Sequence, residues 1–333
     1  MPIFEQPALW DCTTCSVCTL RCPRGLKPHE LVIAIRSALA EEGNIPVAAK
    51  DALEATLKQG NPYGQLRSKR AEWAADLDVK DFSRGDKAET LYFVCCAASY
   101  DPRVQEVARA LVSIFNHAGV DFAILGNEES CCGNEIRRLG EEGLFEMLQK
   151  QNLELFTRYG VRQIVTTSPH CYNALKNEYE ASNVEVRHYS QFLAELIEQG
   201  KLNFSREMKR RVTYHDPCFL GKQNLIFDEP RFVLRSIPGI TLVDFERSRE
   251  RSLCCEGGGG RQWVDVSNSQ ERLSDIRINE ALELGVEVLA TACPFCLLNL
   301  EDAVKTLGVA EKIQIKDIAE LVSEAIQGES VNE

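Results

Sequence analysis

The chain has 333 residues, 44% of them hydrophobic and 26% charged, with a formal net charge of −12. That length allows two or three domains with sizeable cores, and the acidic balance excludes nucleic acid and an anionic membrane surface as main partners. No apolar run approaches the ~18 residues of a membrane span, and the opening MPIFEQPALWDC has no basic leader region, so a cytoplasmic protein is expected.

Fourteen cysteines set the chain apart. In a reducing cytoplasm structural disulfides are disfavoured. Vicinal pairs beside tight C-x-x-C spacings suit metal or iron–sulfur ligation better. The first four cysteines come together: CTTCSVCTLRCP places Cys12, Cys15, Cys18 and Cys22-Pro23 at C-x2-C-x2-C-x3-C-P. This is the spacing of a cubane [4Fe–4S] ligand set. Soft thiolates suit iron, whereas zinc usually draws two pairs split by a longer loop. In two-motif proteins the fourth Cys of such a run serves another cluster. With one motif here, Cys22 is the default fourth ligand, and Cys95 or a partner subunit is the outside candidate. The apolar start, Ile3, Phe4, Leu9 and Trp10, either docks a partner or covers this cluster. ELVIAIRSALAEEG (30–43) and KDALEATLKQG (50–60) have helical spacing and a Gly stop. GNPYG (60–64) is a loop, and the polar DFSRGDKAE (81–89) reads as a linker.

Strand and helix patterns then alternate. LYFVC (91–95) is a buried strand, and Asp101-Pro102 cap and open a helix through VQEVARALVSIFNHAG. DFAIL (121–125) and RQIVTT (162–167) are strands, the latter delivering SPHC; NALKNEYEAS and SQFLAELIEQG read as helices. From residue 210 the plan repeats. VTYHD (212–216) is a strand ending near Cys218, Pro230 opens a helix, CCEGGGGR (254–261) matches CCGNEIRR (131–138), and EVLATA (287–292) delivers CPFC. Equivalent cysteines are offset by 122 (96 to 218), 123 (131 to 254, 132 to 255) and 125 residues (171 to 296). So constant an offset marks an internal duplication. The alternation predicts α/β layers with largely parallel sheets and the site in loops at strand C-termini.

In the second copy Cys218, Cys254, Cys255, Cys293 and Cys296 converge from three loops. Either all five hold one opened cluster, or four hold a cube and one is spare. In the first copy Cys96, Cys131, Cys132 and Cys171 match, but Ser168 stands where Cys293 would align. GGGG (257–260) lacks the Lys-Ser/Thr of a phosphate loop; Gly257, Gly258 and Gly259 more naturally let backbone approach a cluster and donate N–H bonds to its sulfurs. His170 and His215 adjoin ligand cysteines and either relay protons or make ordinary core hydrogen bonds. Arg137, Arg138 and Arg261 follow the CC pairs and either hold an anionic substrate or balance cluster charge.

The stretches HDPCFLGKQN, SLCCEGGGGR, ATACPFCLLNLEDA, LYFVCCAASYDPR, ESCCGNEIRRLGEE and TTSPHCYNALKNEY resemble the CCG cysteine-rich domains of heterodisulfide reductase-related iron–sulfur oxidoreductases, and GNPYGQLRSKRAEWA resembles that family's linker. The resemblance covers nearly the whole chain. It implies two tandem pseudo-symmetric α/β CCG domains, 87–205 and 206–333, behind a small helical ferredoxin-like domain, 1–86. It also implies a noncubane [4Fe–4S] cluster on Cys218, Cys254, Cys255, Cys293 and Cys296. Three departures stand out: Ser168 replaces a ligand, Cys95 occupies the usual Gly position before the first Cys, and Glu256 replaces the Gly of the second CCG. The first domain then holds a simpler cluster on four thiols, recruits Cys95 or the Ser168 oxygen, or is empty.

The resemblance implies an oxidoreductase subunit passing electrons from the N-terminal cubane to the noncubane cluster, where a disulfide is reduced. The alternative is a non-catalytic relay in a lactate- or glycolate-type oxidase or a quinone-linked respiratory complex. Expected partners are a flavoprotein, a ferredoxin-type subunit or a quinone-reducing subunit, with the chain peripheral on the cytoplasmic face of a membrane. A zinc-stabilised interaction module, colourless and redox-silent, is the rival of another class.

Overall fold

A computed structural model describes residues 7–179, 183–264 and 272–326. Strands β1 (Lys80–Asp81), β2 (Thr90–Phe93), β3 (Phe122–Ile124), β4 (Gln163–Thr166) and β5 (Glu185–His188) form one sheet in the order β1-β3-β2-β4-β5. Strands β6 (Arg210–Tyr214), β7 (Ile240–Leu242), β8 (Val288–Thr291) and β9 (Gln314–Asp317) form a second, in the order β7-β6-β8-β9. Every pairing is parallel. The order β3-β2-β4-β5 repeats as β7-β6-β8-β9, so the duplication read from cysteine offsets is a duplication of sheet topology.

The inner strands are apolar runs because helices cover both faces of a parallel sheet. TLYF in β2 and VLAT in β8 are buried at every residue. Parallel neighbours need a crossover, and the helix Pro102–His117 supplies it between β2 and β3. Asp101 caps that helix as expected, accepting from the N–H of Arg103 (2.9 Å) and Val104 (3.2 Å). Its counterpart in the second half runs Asp228–Ser236, starting two residues before Pro230.

Two expectations change. The stretch read as a linker begins inside β1: Asp81 pairs with Ile124, and its carboxylate accepts from Ser83 N–H (2.8 Å) to cap the turn Phe82–Arg84. NALKNEYEAS is not a regular α-helix. The short helix Pro169–Asn173 passes into a π turn, Ala174–Glu178, and Tyr179 is extended; residues 180–182 lie outside the described residues.

The halves interlock. The helix after β5, Tyr189–Glu198, packs on Asp228–Ser236 of the second half, while the helix after β9, Ile318–Ile326, packs on Pro102–His117 of the first. Arg103 crosses the same seam to Glu301 (2.5 Å) and Glu320 (2.9 Å). One apolar core therefore runs through both halves. Helices Pro28–Glu41 and Val47–Gln59 lie outside the sheets. Ala49 and Leu53 of the latter form a smaller core with Cys96, Cys131, Ile136 and Leu139. Among the described residues no helix is long and apolar enough to cross a membrane.

Candidate metal centres

The repeated cysteines follow the C-terminal ends of three neighbouring strands in each half: β2, β3 and β4, then β6, β7 and β8. Each set is brought together. In the second half thiol contacts link Cys218 to Cys254, Cys254 to Cys255, Cys255 to Cys296 and Cys296 to Cys293; Cys255 and Cys296 sulfurs are 3.0 Å apart. In the first half contacts link Cys96 to Cys131, Cys131 to Cys132 and Cys132 to Cys171, and Cys95 closes on Cys171. All ten thiols are buried.

Both sites use one local device. The peptide N–H two residues on points at a sulfur: Gly133 to Cys131 (3.4 Å) and Glu256 to Cys254 (3.2 Å), with Asn134 serving Cys132 and Gly257 serving Cys255. This requires left-handed backbone after the pair, φ 79° at Gly133 and φ 71° at Glu256, which is why glycine is the natural residue there. Glu256 holds the same conformation with a side chain, whose carboxylate accepts from Leu273 N–H (3.1 Å). The N–H groups favour thiolates, the form that binds metal, while the thiol neighbours split each set: they push Cys96, Cys131, Cys218 and, together with burial, Cys171 and Cys296 up, and bring Cys132, Cys254 and Cys255 down. Hydrogen bonds from Cys131 and Cys171 bring Cys132 down to about 6. At Cys293 burial opposes ionisation, but Cys296 and His170 outweigh it and bring the thiol to about 5.

Of the expected glycines, Gly257 donates to a cysteine sulfur. Gly258 and Gly259 serve close packing: a Cβ at Gly258 would strike the His170 ring, and one at Gly259 the Thr13 backbone. That second contact belongs to the N-terminal motif, which lies on the second site. Cys15 touches Cys254, Cys254 Sγ donates to Thr13 Oγ1 (3.3 Å), and Gln223 Nε2 donates to Thr14 O (2.8 Å). Thr14 (φ 49°) and Ser16 (φ 63°) bend the loop between ligands. Cys12 senses the charges of Cys15 and Cys18; Cys18 is exposed and Cys22 half-buried.

Arg36 locks this arrangement. Its buried guanidinium donates to the carbonyls of Leu9 (2.7 Å), Trp10 (3.3 Å), Cys12 (2.7 Å), Arg138 (2.8 Å) and Gly259 (2.8 Å). Leu9 is buried and Trp10 lies 5.0 Å under the guanidinium, so these two cover the motif; Ile3 and Phe4 lie outside the described residues.

The two histidines differ. His170 lies between the sites, stacked on Phe219 (4.1 Å between ring centres) and edge-on to Phe295 (4.8 Å). Its Nδ1 is 2.7 Å from Glu135, which also accepts from Gly260 N–H (2.5 Å). Burial alone would lower its pKa; Glu135 and Cys293 together raise it to about 10. His215 is buried, and neither ring nitrogen has a hydrogen-bond partner among the described residues. A ring nitrogen and the sulfurs of Cys255 and Cys296 lie within 4.8 Å of one another. The arginines are internally paired: Arg138 and Arg137 with Glu178, Arg261 with Glu256 (3.4 Å) and Asp11 O (3.2 Å).

Sequence reasoning missed Arg70, Glu129 and Tyr63. Arg70 and Glu129 form a buried ion pair (2.5 Å) against Cys96. Tyr63, from the GNPYG loop, brings a buried hydroxyl without a hydrogen-bond partner among the described residues to a cavity lined by the first set of thiols. The π turn and the positive-φ positions could not be read from composition. Grouped thiols, peptide N–H groups aimed at sulfur and leftover buried polar atoms fit iron–sulfur clusters.

Comparison with known proteins agrees. The cysteine-rich domain family CCG matches residues 90–176 and again 212–301. The chain is 38% identical to the EtfAB:quinone oxidoreductase of Syntrophomonas wolfei over 98% of its length and 47% of the relative's. It is 37% identical to the "Probable iron-sulfur-binding oxidoreductase FadF" of Bacillus subtilis over 98% of its length and 48% of that protein's. The chain thus spans about half the length of these two relatives. A dihydromethanophenazine:CoB–CoM heterodisulfide reductase subunit from Methanosarcina barkeri is 34% identical over 95% of this chain and 77% of its own. Two topologically equivalent thiol sites, a doubled family match and these relatives agree: the chain belongs to the CCG cysteine-rich family of heterodisulfide reductase-related iron–sulfur oxidoreductases.

Proposed function

We propose that the chain carries electrons within a larger oxidoreductase, with a ferredoxin-type segment over 1–86 and CCG domains over 87–205 and 206–333. Cys12, Cys15, Cys18 and Cys22 would hold a cubane [4Fe–4S] cluster, and Cys218, Cys254, Cys255, Cys293 and Cys296 a noncubane one. Such clusters supply one-electron uptake and release at potentials tuned by hydrogen bonds to sulfur and by burial. The observation that carries this reading is the contact of Cys15 with Cys254, which makes the two ligand sets neighbours. The protein's own part is to exclude water from the second site, to aim Glu256 and Gly257 N–H groups at sulfur, and to place His170 beside Cys293 and His215 beside Cys255 and Cys296.

Burial favours a relay: the second-site thiols range from 0% to 7% exposed, which suits electrons better than a bulky substrate. The name of the S. wolfei relative, an EtfAB:quinone oxidoreductase, supports a place between a protein electron donor and a quinone-reducing partner, and a position peripheral to a membrane is the reading that goes with it. Disulfide reduction is the second reading. It is favoured by a cleft of about 900 Å³ between the N-terminal motif and the seam of the halves, lined by Ser16, Arg137, Arg138 and Lys222. Adding a small disulfide to reduced protein decides between them by electron paramagnetic resonance. A relay keeps its signals, and a new signal on disulfide addition establishes the second reading. A colourless, zinc-loaded protein would overturn both.

A further inference from the structure

We propose that the first half also holds an iron–sulfur centre, with Cys95 taking the ligand place that Ser168 does not fill. This rests on the iron–sulfur reading above and extends it to a site where the usual ligand is replaced.

Ser168 is already engaged. It sits at the N-cap of Pro169–Asn173, and its hydroxyl accepts from His170 N–H (3.2 Å). Cys293, at the same cap position in the second half, makes no such bond and faces its fellow thiols. Replacing thiol by hydroxyl has turned a ligand into a helix cap.

Cys95 supplies the fifth thiol from the other side. It touches Cys171, and through Cys132, Cys131 and Cys96 completes a set as large as that of the second half. Its backbone has φ 74° and ψ 160°, a conformation that strains a non-glycine residue and persists only where surroundings enforce it. The enforcement is visible. Glu129 accepts from the N–H of Val94 (2.9 Å) and Cys95 (3.1 Å) and is anchored by Arg70 (2.5 Å), whose guanidinium also points at Cys96 Sγ (3.6 Å). The second half is built differently: its buried pair is Asp216–Arg231 (2.6 Å), and Asp216 accepts from Arg249 N–H (2.8 Å) rather than from the residue before Cys218. At the offsets already given, Cys95 aligns with Pro217, which has no N–H, and Glu129 aligns with Ser252. Loss of a thiol at 168, gain of one at 95 and the carboxylate that holds it thus occur together in one half.

The cavity these thiols line has unclaimed polar atoms. Tyr63 Oη and Asn134 Oδ1 are buried there without a hydrogen-bond partner among the described residues. Orphaned groups of this kind point to a bound occupant, and a cluster offers its sulfides as acceptors to the Tyr63 hydroxyl; Asn134 Oδ1, itself an acceptor, is not satisfied by them.

The test is Cys95→Gly. Glycine is at ease at φ 74°, so the variant deletes the thiol and relaxes the backbone, and a folding defect does not confuse the result. Iron and acid-labile sulfide are measured per chain after anaerobic reconstitution, with Mössbauer spectra. Three four-iron centres give about 12 Fe in the parent chain, and Cys95→Gly is expected to lose about a third of it or to change one spectral component. Adding Ser168→Cys should restore the loss. Iron near 8 with Cys95→Gly indistinguishable from the parent overturns this inference alone, as does about 12 Fe with unchanged spectra. A parent chain that takes up no iron overturns the iron–sulfur reading itself, and this inference with it.

Discussion

The first thiol site has a buried ion pair behind it; the second has a histidine. Around the same strand order and the same N–H···S device, Arg70 and Glu129 stand against Cys96, while His215 faces Cys255 and Cys296. At the His215 offset the first half carries Phe93, and at the Glu129 offset the second half carries Ser252. The shared strands fix where the sulfurs go, and the residues behind them fix the charge each site tolerates. A cation at Cys96 offsets negative charge directly, whereas an unpartnered imidazole offers one hydrogen bond or one nitrogen donor.

The largest effect should come from removing the carboxylate that holds Arg70 behind the first site. Glu129→Ala leaves Arg70 buried without its counter-charge and should cost about 3–5 kcal/mol. Ser252→Ala, at the matching position, removes one hydrogen bond from the buried Lys222 ammonium, which keeps its bond to the Ser252 carbonyl, and should cost about 1.5–3 kcal/mol. Denaturant unfolding of the two variants measures the difference; equal losses would mean the halves are supported alike.

Next comes the histidine. His215→Phe gives the second half the first half's residue. Loss of a hydrogen-bonding group behind a metal site typically lowers metal affinity about 10- to 100-fold. Chelator challenge should therefore strip iron faster from the second site, while signals of the first stay in place.

The smallest effect compares the helix caps that end each sheet. His188, after β5, accepts from Ser190 N–H (3.3 Å), and burial lowers it to about 3. Asp317, after β9, accepts from Ala319 N–H (2.9 Å), and burial raises it to about 7. The signs are opposite. Between pH 3 and 6.5 the unfolded chain holds a proton that folded His188 lacks, so the histidine's contribution to stability grows with pH. Between pH 3.8 and 7 folded Asp317 holds a proton that the unfolded chain lacks, so its contribution is lost as pH rises. Relative to the parent, His188→Gln should lose stability and Asp317→Asn gain it as pH rises from 5 to 6.5, each by up to about 1.4 kcal/mol per unit. Thermal melts across that range read both slopes.

What could be read from the sequence was what repeats or what is wholly apolar. Cysteine offsets exposed the duplication, and LYFVC and EVLATA exposed inner strands because a parallel sheet buries both faces. Edge strands β5 and β9, EVRH and QIKD, escaped because three of the four residues in each are polar and only one is apolar. The segment at Asp81 looked like a linker because a two-residue strand has no periodicity to detect. At the sites, ligand residues were legible from spacing. Their supports were not: Glu129, Arg70 and Tyr63 come from loops whose meeting depends on tertiary packing. Arginines expected to face a substrate or balance cluster charge proved paired because Glu178 comes from a π turn that no local pattern announces.

Arg36 sets a timetable. Its guanidinium closes the N-terminal loop by reaching Gly259, 223 residues later in the chain. During synthesis that carbonyl does not exist until 223 residues after Arg36 have been made, and contacts so distant in sequence form late. The loop bearing Cys12 and Cys15 therefore waits unfastened until the second half supplies Gly259. In that interval Cys12 and Cys15 stand open; afterwards Arg36 holds their loop to the second half.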